Sequence, residues 1–392
     1  MLYVFLKNKL IGADAAAPLI MELRARHPGQ RVTFVVPSLK ALQAIERNIV
    51  LYDALRQNGR IVQIGRRWEG AIGWIESKLR GLVWLISMAA RSLSPRIIHM
   101  HFGAFERWPL KLLFHVAPKR ALLADSAFHG FTERMVAFAQ LKQDRKDVVL
   151  PSHMSAGLAF HDQSFVRQSA IKLGVPCFRM AAPHGLPSWQ RWLDRAAPRY
   201  LDELSREQPG LDQPFFITFV LGFFGPLDFL RNPEAGCLAL FEEALDVVTK
   251  SVPDIPVVLK PHVVTDMAQL HRSLAKFPRA KTVVCNLHPA MLAARSYAVM
   301  SNYYSTTQST AAQMGVPTIE YTEYGPRAYA ATEGGSVRPD HITHFIQRDP
   351  ERLRQVLHDL TKDRKQPVRF AAGQMSLDDR LFNFLATGQL PA

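Results

Sequence analysis

Short apolar segments alternate with helical segments along most of the chain, and this alternation restricts the possible folds more than any other feature. In the first half, the segments with strand character are Leu2–Leu6, Val32–Val36, Ile61–Ile64, Ile97–His101, Ala121–Ala124 and Val148–Leu150. Helical patterns, such as Ala16–Arg26 and Leu39–Asn58, lie between them. Strands that are apolar throughout and separated by helices are typical of a parallel sheet covered on both faces. The sequence therefore predicts an α/β fold.

A polar segment rich in turn residues, Ser205–Pro214, interrupts this alternation. The pattern then resumes, with strands expected at Phe215–Val220, Val257–Lys260, Thr282–Cys285, Ala298–Met300 and Thr318–Glu320. A chain of 392 residues is also long for a single domain. We predict one Rossmann-like domain over residues 1–205 and a second over residues 215–375. A last helix, within residues 376–392, can pack back across the domains.

Polar and charged residues follow several predicted strands of the second domain, at the carboxyl edge where open α/β sheets bind ligands. Glycines let a ligand approach the backbone closely. Hydroxyls at a helix N-terminus attract phosphate, and lysine or histidine can offset the charge of that phosphate. The candidate donor-binding residues are Gly222, Gly225, Lys260, His262, Ser305, Thr306, Thr307, Ser309, Thr310 and Glu320. Each has a simpler explanation as a turn residue, loop histidine or helix cap. Their placement at successive strand ends favours one shared site.

Three motifs in this half resemble a known group of enzymes. Lys260–His262 follows a strand, Ser301–Thr307 precedes a helix, and Gly315–Glu320 forms the next strand. Together they are similar to the donor half of the GT-B glycosyltransferases of bacterial capsule and lipopolysaccharide synthesis. The similarity is greatest to the Kdo and sialic acid transferases with CMP donors and to glycerophosphotransferases with CDP-glycerol donors. The similarity covers about residues 215–345. This chain differs from those families at His262-Val263, where they usually have His-Pro. The His-Pro that this half does contain, His288-Pro289, follows a different strand.

This resemblance implies the GT-B arrangement, with a donor and acceptor cleft between two Rossmann-like domains and a nucleotide-sugar bound by the C-terminal one. It implies transfer of Kdo or another nonulosonic acid from a CMP donor to a growing bacterial surface glycan. The alternatives are a CDP-alcohol phosphotransferase and a non-catalytic protein that binds polysaccharide or nucleotide. Glu320 is expected to bind a sugar hydroxyl pair or an amine of the base.

A general base for the acceptor hydroxyl is expected in the N-terminal domain. His184, within Pro183–Pro187, resembles the His-Gly element of the glycerophosphotransferase-like family, in which the histidine acts on the acceptor. Imidazole suits this task because its pKa lies near the working pH. Asp125, His129 and His153 also follow predicted strands and are alternatives for the base. His262 is a second candidate catalytic residue, beside the donor phosphate.

Neither a metal ion nor a cofactor is expected. The sequence has no Asp-x-Asp motif, and acidic residues do not cluster in the strand-end loops. Lys260, helix N-termini and imidazole would then offset the charge on the departing nucleotide. Three cysteines without ligand spacing argue against a disulfide framework or structural zinc.

The net charge of +14 indicates an anionic partner. Dispersed basic residues without a helix-turn-helix motif argue against nucleic acid. The segment Trp68–Arg91 combines tryptophans with basic residues, as in helices that lie on anionic lipid, but a buried helix of the first domain explains it equally well. No segment reaches 18 apolar residues without a charge. We therefore expect a cytoplasmic protein, peripheral to the inner face of the cytoplasmic membrane, with a lipid-linked or oligosaccharide acceptor.

Overall fold

The structure is a computed structural model that describes most of the chain. The described residues are 1–6, 10–65, 70–102, 120–124, 158–160, 177–179, 183–207, 213–262, 264–370 and 378–389, with Leu113, Val116, Arg134, Ala137 and Phe138. Contacts divide the chain into two compact units: unit 1 contains residues 1–130, 147–189 and 375–392, and unit 2 contains residues 131–146 and 190–374. Each unit is built on one parallel sheet, so the predicted class of two Rossmann-like α/β domains is confirmed.

The sheet of unit 1 has the strand order β3-β2-β1-β4-β5-β6-β7, and every described pair is parallel. Its strands are β1 Leu2–Phe5, β2 Val32–Val36, β3 Arg60–Gln63, β4 Ile98–His101, β5 Ala121–Ala124, β6 Leu158–Phe160 and β7 Cys177–Arg179. The strands β1 and β2 are buried along their whole length, so both of their faces are in contact with protein. This burial explains why they read as continuous apolar runs.

The sheet of unit 2 has six parallel strands in the order β10-β9-β8-β11-β12-β13. They are β8 Phe216–Val220, β9 Val257–Lys260, β10 Thr282–Val284, β11 Ser296–Ser301, β12 Thr318–Thr322 and β13 His344–Gln347. The chain fills the sheet on one side of β8 first and then crosses to the other side at β11. Both sheets therefore share the doubly wound order of dinucleotide-binding folds.

The described α-helices are α1 Leu10–Arg26, α2 Leu39–Arg47, α3 Ile49–Asn58, α4 Gly70–Ser92, α5 Pro187–Glu207, α6 Gly236–Ser251, α7 Met267–Leu274, α8 Pro289–Ala294, α9 Thr306–Gln313, α10 Pro326–Ala331, α11 Pro350–Thr361 and α12 Asp379–Thr387. The single helix predicted over Leu39–Asn58 is two helices. Asn48 separates them, because its side-chain oxygen accepts a hydrogen bond from the backbone N–H of Leu51 (3.3 Å) and caps α3.

Several strand and linker predictions differ from the structure. Val148–Leu150 lies outside the described residues, and the short strands β6 and β7 were not predicted. The helix α5 continues to Glu207, so it extends into the segment predicted as a linker, and the boundary between the units falls within this helix, after Trp189. The last helix, α12, packs in unit 1 against α1 and β7.

The helix α4 covers most of the segment Trp68–Arg91, of which Trp68 itself lies outside the described residues. Leu85 and Met88 are buried against the sheet of unit 1, and the Trp84 ring meets the Phe5 ring edge-on at 5.9 Å. Arg80 is half-buried; it pairs with Glu76 at 3.3 Å and donates a hydrogen bond to the backbone oxygen of Gly65, just after β3. Two of the residues expected at a lipid surface, Trp84 and Arg80, therefore contact the domain instead. Among the described residues, no helix has the length and apolar character needed to cross a bilayer.

Candidate functional site

The candidate site of unit 2 lies where the strand order reverses, between β8 and β11. Loops that leave two such neighbouring strands in opposite directions open a crevice outside the carboxyl ends of the strands. Gly222 and Gly225 follow β8, His262 follows β9, and Ser305 follows β11 just before α9. The predicted donor-binding loops thus belong to three adjacent strands of one sheet edge.

Direct contacts hold these loops together. The Thr265 hydroxyl donates to the Gly222 carbonyl oxygen (3.0 Å) and accepts from the His262 backbone N–H (2.9 Å). On the other side, the Tyr303 hydroxyl accepts from the backbone N–H of Phe223 (3.5 Å). A Cβ atom at position 222 would lie 2.3 Å from this hydroxyl, so a larger residue there would displace the Tyr303 side chain from its contact with the loop after β8. Sequence reasoning found Gly222 and His262 but missed Thr265 and Tyr303, the side chains that connect them.

A second glycine was missed altogether. Gly236, at the start of α6, has a φ of +59°, and a Cβ atom there would lie 2.4 Å from the carbonyl oxygen of Phe224. The backbone of the loop after β8 therefore rests directly on this glycine. By contrast, a Cβ at Gly225 would meet only the outer end of the Phe223 ring. A glycine that opens a helical pattern just after a glycine-rich loop was the available sequence signal.

Lys260 and His262 supply the positive and polar groups of this edge. Burial lowers the pKa of the Lys260 ammonium, and the nearby Cys285 opposes this effect. Partial burial, and then the charge of Lys260, lowers the pKa of the His262 imidazole. The ring is therefore neutral at pH 7. The backbone N–H of Val264 donates to Nδ1 of His262 (3.4 Å), which places the proton of the neutral ring on Nε2. His262 can therefore donate a hydrogen bond from Nε2 to an anion beside the lysine.

The N-terminus of α9 is closed by its own side chains. The Ser305 hydroxyl accepts from the Thr307 backbone N–H (3.3 Å), and the Gln308 side-chain oxygen accepts from the Ser305 backbone N–H (3.1 Å). This reciprocal capping box leaves Thr306, one position into the helix, as the exposed residue of the turn. A ligand at this turn would meet Thr306 and the outer edges of Ser305 and Thr307.

Ser309 and Thr310 are buried in the helix core, at 1% and 3% exposure. The Ser309 hydroxyl accepts a hydrogen bond from the Gln313 side chain (3.0 Å). The five predicted hydroxyls therefore do not share a surface. Three of them belong to the first turn of α9, and two lie one turn further along the helix, where unit 2 buries them.

Glu320 lies inside the domain instead of at the end of its strand. The strand β12 continues to Thr322, and Glu320 is fully buried. Its two carboxyl oxygens accept from the hydroxyls of Tyr324 (2.5 Å) and Ser336 (2.6 Å). Burial raises the pKa of Glu320 to about 7. The backbone N–H of Tyr304 also donates a hydrogen bond to this carboxyl group. The carboxyl group therefore connects several neighbouring loops.

His288-Pro289, the His-Pro of this half, caps a helix. Nδ1 of the buried His288 accepts from the Ala290 backbone N–H (3.2 Å), and Pro289 is the first residue of α8. A proline at that position is favoured because its missing N–H would have no partner within the helix. His288-Pro289 thus provides the N-cap and the first residue of α8.

In unit 1, His184 lies in a single 3₁₀ turn, Pro183–Gly185, directly before α5. Its Nε2 is 3.0 Å from a carboxyl oxygen of Asp14 on α1, and its ring meets Trp189 edge-on at 5.8 Å. The side chain is 1% exposed. Sequence reasoning did not identify Asp14, which is 170 residues away. The other candidates for the base, Asp125, His129 and His153, lie outside the described residues.

Comparison with solved structures supports the fold. A Listeria monocytogenes protein assigned as a UDP-N-acetylglucosamine 2-epimerase aligns with a TM-score of 0.54 and 14% identity, over 97% of this chain and 94% of that one. The UDP-N-acetylglucosamine 2-epimerase from Rickettsia bellii aligns with a TM-score of 0.50 and 14% identity, over 98% of this chain and 93% of that one. No protein-family model and no curated protein matches the sequence. At this identity the similarity shows a shared two-domain fold.

Proposed function

We propose that this chain is a sugar-nucleotide enzyme that binds its nucleotide at the carboxyl edge of the unit 2 sheet. The observation that carries the proposal is the bonded connection of Gly222, Thr265, His262 and Tyr303 at the reversal of strand order. The loops after three strands are thereby fixed before any ligand arrives, which reduces the entropy cost of binding.

The phosphate would be bound by three groups of this edge. Lys260 supplies a positive charge, His262 donates from Nε2, and Thr306 lies at the N-terminus of α9, where helix dipoles favour an anion. Gly222 allows close approach of the nucleotide to the backbone, and Glu320 acts indirectly, by holding the loop that contains Tyr304. These groups stabilise charge on a departing nucleotide without requiring a metal ion.

The reaction we propose is glycosyl transfer, with Kdo or another nonulosonic acid donated from CMP to a growing bacterial surface glycan. His184 would take the proton of the acceptor hydroxyl. Asp14 would orient the imidazole and stabilise the positive charge that the ring then gains. A lipid-linked acceptor would place the enzyme at the cytoplasmic membrane, as its excess of positive charge favours.

The donor site is tested by Lys260→Ala. Loss of a charge-assisted contact to phosphate should weaken nucleotide binding by about 1.5–3 kcal/mol. Thermal-shift titrations of wild type and variant against CMP, CDP, UDP and GDP measure this change and rank the nucleotides. Lys250→Ala is the matched control, because Lys250 lies in the same unit but is exposed and paired with Asp246 on α6. Equal affinity in wild type and Lys260→Ala would place the site elsewhere.

The reaction is tested with the nucleotide-sugar of the best-binding nucleotide. Formation of a glycosylated acceptor supports transfer, whereas a change of sugar configuration without acceptor indicates an epimerase. With CDP-glycerol as the donor instead, transfer of glycerol phosphate to the acceptor with release of CMP indicates the CDP-alcohol alternative. Binding without any turnover identifies a non-catalytic nucleotide- or polysaccharide-binding protein.

A further inference from the structure

One face of α4 is apolar and turned away from unit 1. It consists of six large aliphatic residues, here named the outer stripe: Ile72, Ile75, Leu79, Leu82, Val83 and Ile86. Each of them exposes more than half of its side-chain surface. At 3.6 residues per turn they lie within about 100° of arc, so they form one continuous band along the helix.

The opposite face of the same helix is also apolar. Leu85 and Met88 pack in the core with Tyr3 and Phe5 of β1. A helix that is apolar on both sides is normally enclosed on both sides. Single exposed aliphatic residues are common on protein surfaces, but a contiguous band marks a contact surface. We therefore expect the outer stripe to be in contact with another apolar surface.

The charges of α4 lie outside the outer stripe. Lys78 is exposed, with its ammonium 5.6 Å from the centre of the Trp74 ring, and Trp74 is itself 58% exposed. Glu76 pairs with Arg80, so the acidic residue of the helix is already neutralised. Arg91, in the last turn of α4, is also exposed. An aliphatic band bordered by Lys78, on a helix that also exposes a tryptophan, matches the chemistry of a bilayer surface, with acyl chains beneath anionic head groups.

The net charge of the protein is concentrated in the unit that contains this helix. Unit 1 has 23 Lys and Arg residues against 12 Asp and Glu, a net charge of +11, whereas unit 2 has 25 against 22, a net charge of +3. Two copies of unit 1 placed face to face would repel one another. An anionic surface would be attracted. The charge distribution therefore favours lipid over a second copy as the partner of the outer stripe.

We propose that the outer stripe docks this chain on an anionic lipid bilayer, with its aliphatic side chains inserted among the head groups and Trp74 and Lys78 at the interface. The inference rests on the proposed function for its biological reason, a lipid-linked acceptor, but the docking itself needs neither donor nor acceptor.

The test is sedimentation of the full chain with vesicles of phosphatidylcholine that contain increasing fractions of phosphatidylglycerol. Binding should rise with the anionic fraction and fall with salt, since exposed charges are screened within about 8 Å at physiological ionic strength. Vesicles with brominated acyl chains should quench tryptophan emission, and Trp74→Phe should remove part of this quenching. Leu79→Glu with Ile86→Glu should lower partitioning at least roughly tenfold, because charges would then enter the apolar layer.

The matched control is Ile49→Glu with Val368→Glu, which adds the same charge at exposed apolar positions of other segments of the chain. It should retain most of the binding. Absence of wild-type binding at every composition would overturn the proposal, as would equal loss in both double variants. A wild-type dimer in light scattering that Leu79→Glu with Ile86→Glu converts to a monomer, without vesicle binding, would assign the outer stripe to a second copy instead.

Nucleotide binding separates this result from the proposed function. The Leu79→Glu, Ile86→Glu variant should show an unchanged thermal shift with the best-binding nucleotide, because its substitutions are in unit 1 and the candidate nucleotide site is in unit 2. A wild-type protein that binds vesicles but no nucleotide would retain the docking surface and refute the proposed function alone.

Discussion

Unit 1 should lose stability as the pH falls below 6.5, because two histidines of β4 are buried in its core. His99 and His101 are both fully buried, and the His101 ring stacks on Phe5 with centroids 4.2 Å apart. Nε2 of His99 is 2.8 Å from the Ser92 hydroxyl at the end of α4. Burial, and then the charge of Arg120, lowers the pKa of His99 to about 4. Burial lowers the pKa of His101 well below its ordinary value in the same way.

The direction follows from proton binding. In the unfolded chain a histidine takes up a proton near pH 6.5, whereas folded His99 does so only near pH 4. Acid therefore favours the unfolded state, and the stabilisation is complete above pH 6.5 and lost as the pH falls toward 4. A difference of 2.5 pH units corresponds to about 3 kcal/mol, lost at about 1.4 kcal/mol per pH unit. His101 contributes with the same sign, so the two together give a slope of up to about 2.7 kcal/mol per pH unit.

Hydrogen exchange followed by mass spectrometry can measure this slope locally. Peptides that contain β4 report the opening free energy of the sheet of unit 1 between pH 7 and 5, after correction for the intrinsic exchange rate. His99→Phe with Ser92→Ala removes one titrating group together with its hydroxyl partner. This variant should show about half of the wild-type slope. Protection of β4 that is equal at pH 7 and pH 5 in wild type, or a variant slope as steep as that of wild type, would refute the reasoning.

Two further predictions use the carboxyl group of Glu320 and the pair of His184 with Asp14. Burial raises the pKa of Glu320 from 4.5 to about 7, so the contribution of this group to the stability of unit 2 is complete below pH 4.5 and falls by about 3 kcal/mol as the pH rises to 7. Exchange at β12 should show this loss in wild type and not in Glu320→Gln. His184→Ala should lower turnover by about 10²–10⁴ without changing nucleotide affinity. Asp14→Asn should give a smaller loss and a shifted pH–rate profile, and unchanged turnover in both variants would reassign the base.

The sequence predicted the parallel sheets and the loops at their carboxyl edges, because buried strands have a clear apolar signature. It could not predict which residues join those loops. Thr265 and Tyr303 are ordinary polar residues in sequence, and their importance comes only from the 3.0 Å and 3.5 Å contacts that tertiary structure creates. Asp14 was missed for the same reason, since 170 residues separate it from His184.

Errors in the candidate site came from local geometry. Glu320 was placed at a strand end, but pairing with β13 continues β12 by two residues, to Thr322, and the carboxyl group is fully buried. Ser309 and Thr310 were grouped with Ser305 by proximity in sequence, although they lie one turn further along α9, where the domain buries them. The helix α4 posed a related difficulty, because a segment with two apolar faces does not reveal which of them packs on the core.

The packing of α12 on unit 1 has a consequence for the order in which the chain folds during synthesis. Its Phe382 ring lies 4.5 Å from the guanidinium of Arg26, and its Leu385 carbonyl accepts a hydrogen bond from Gln30 (2.9 Å). These partners leave the ribosome more than 350 residues before α12 does. Unit 2, contained within residues 131–374, has its whole sequence available sooner. The first domain to be translated is therefore the last to gain its final contacts, and until then the surface of α1 that receives Phe382 stays exposed to chaperones and solvent.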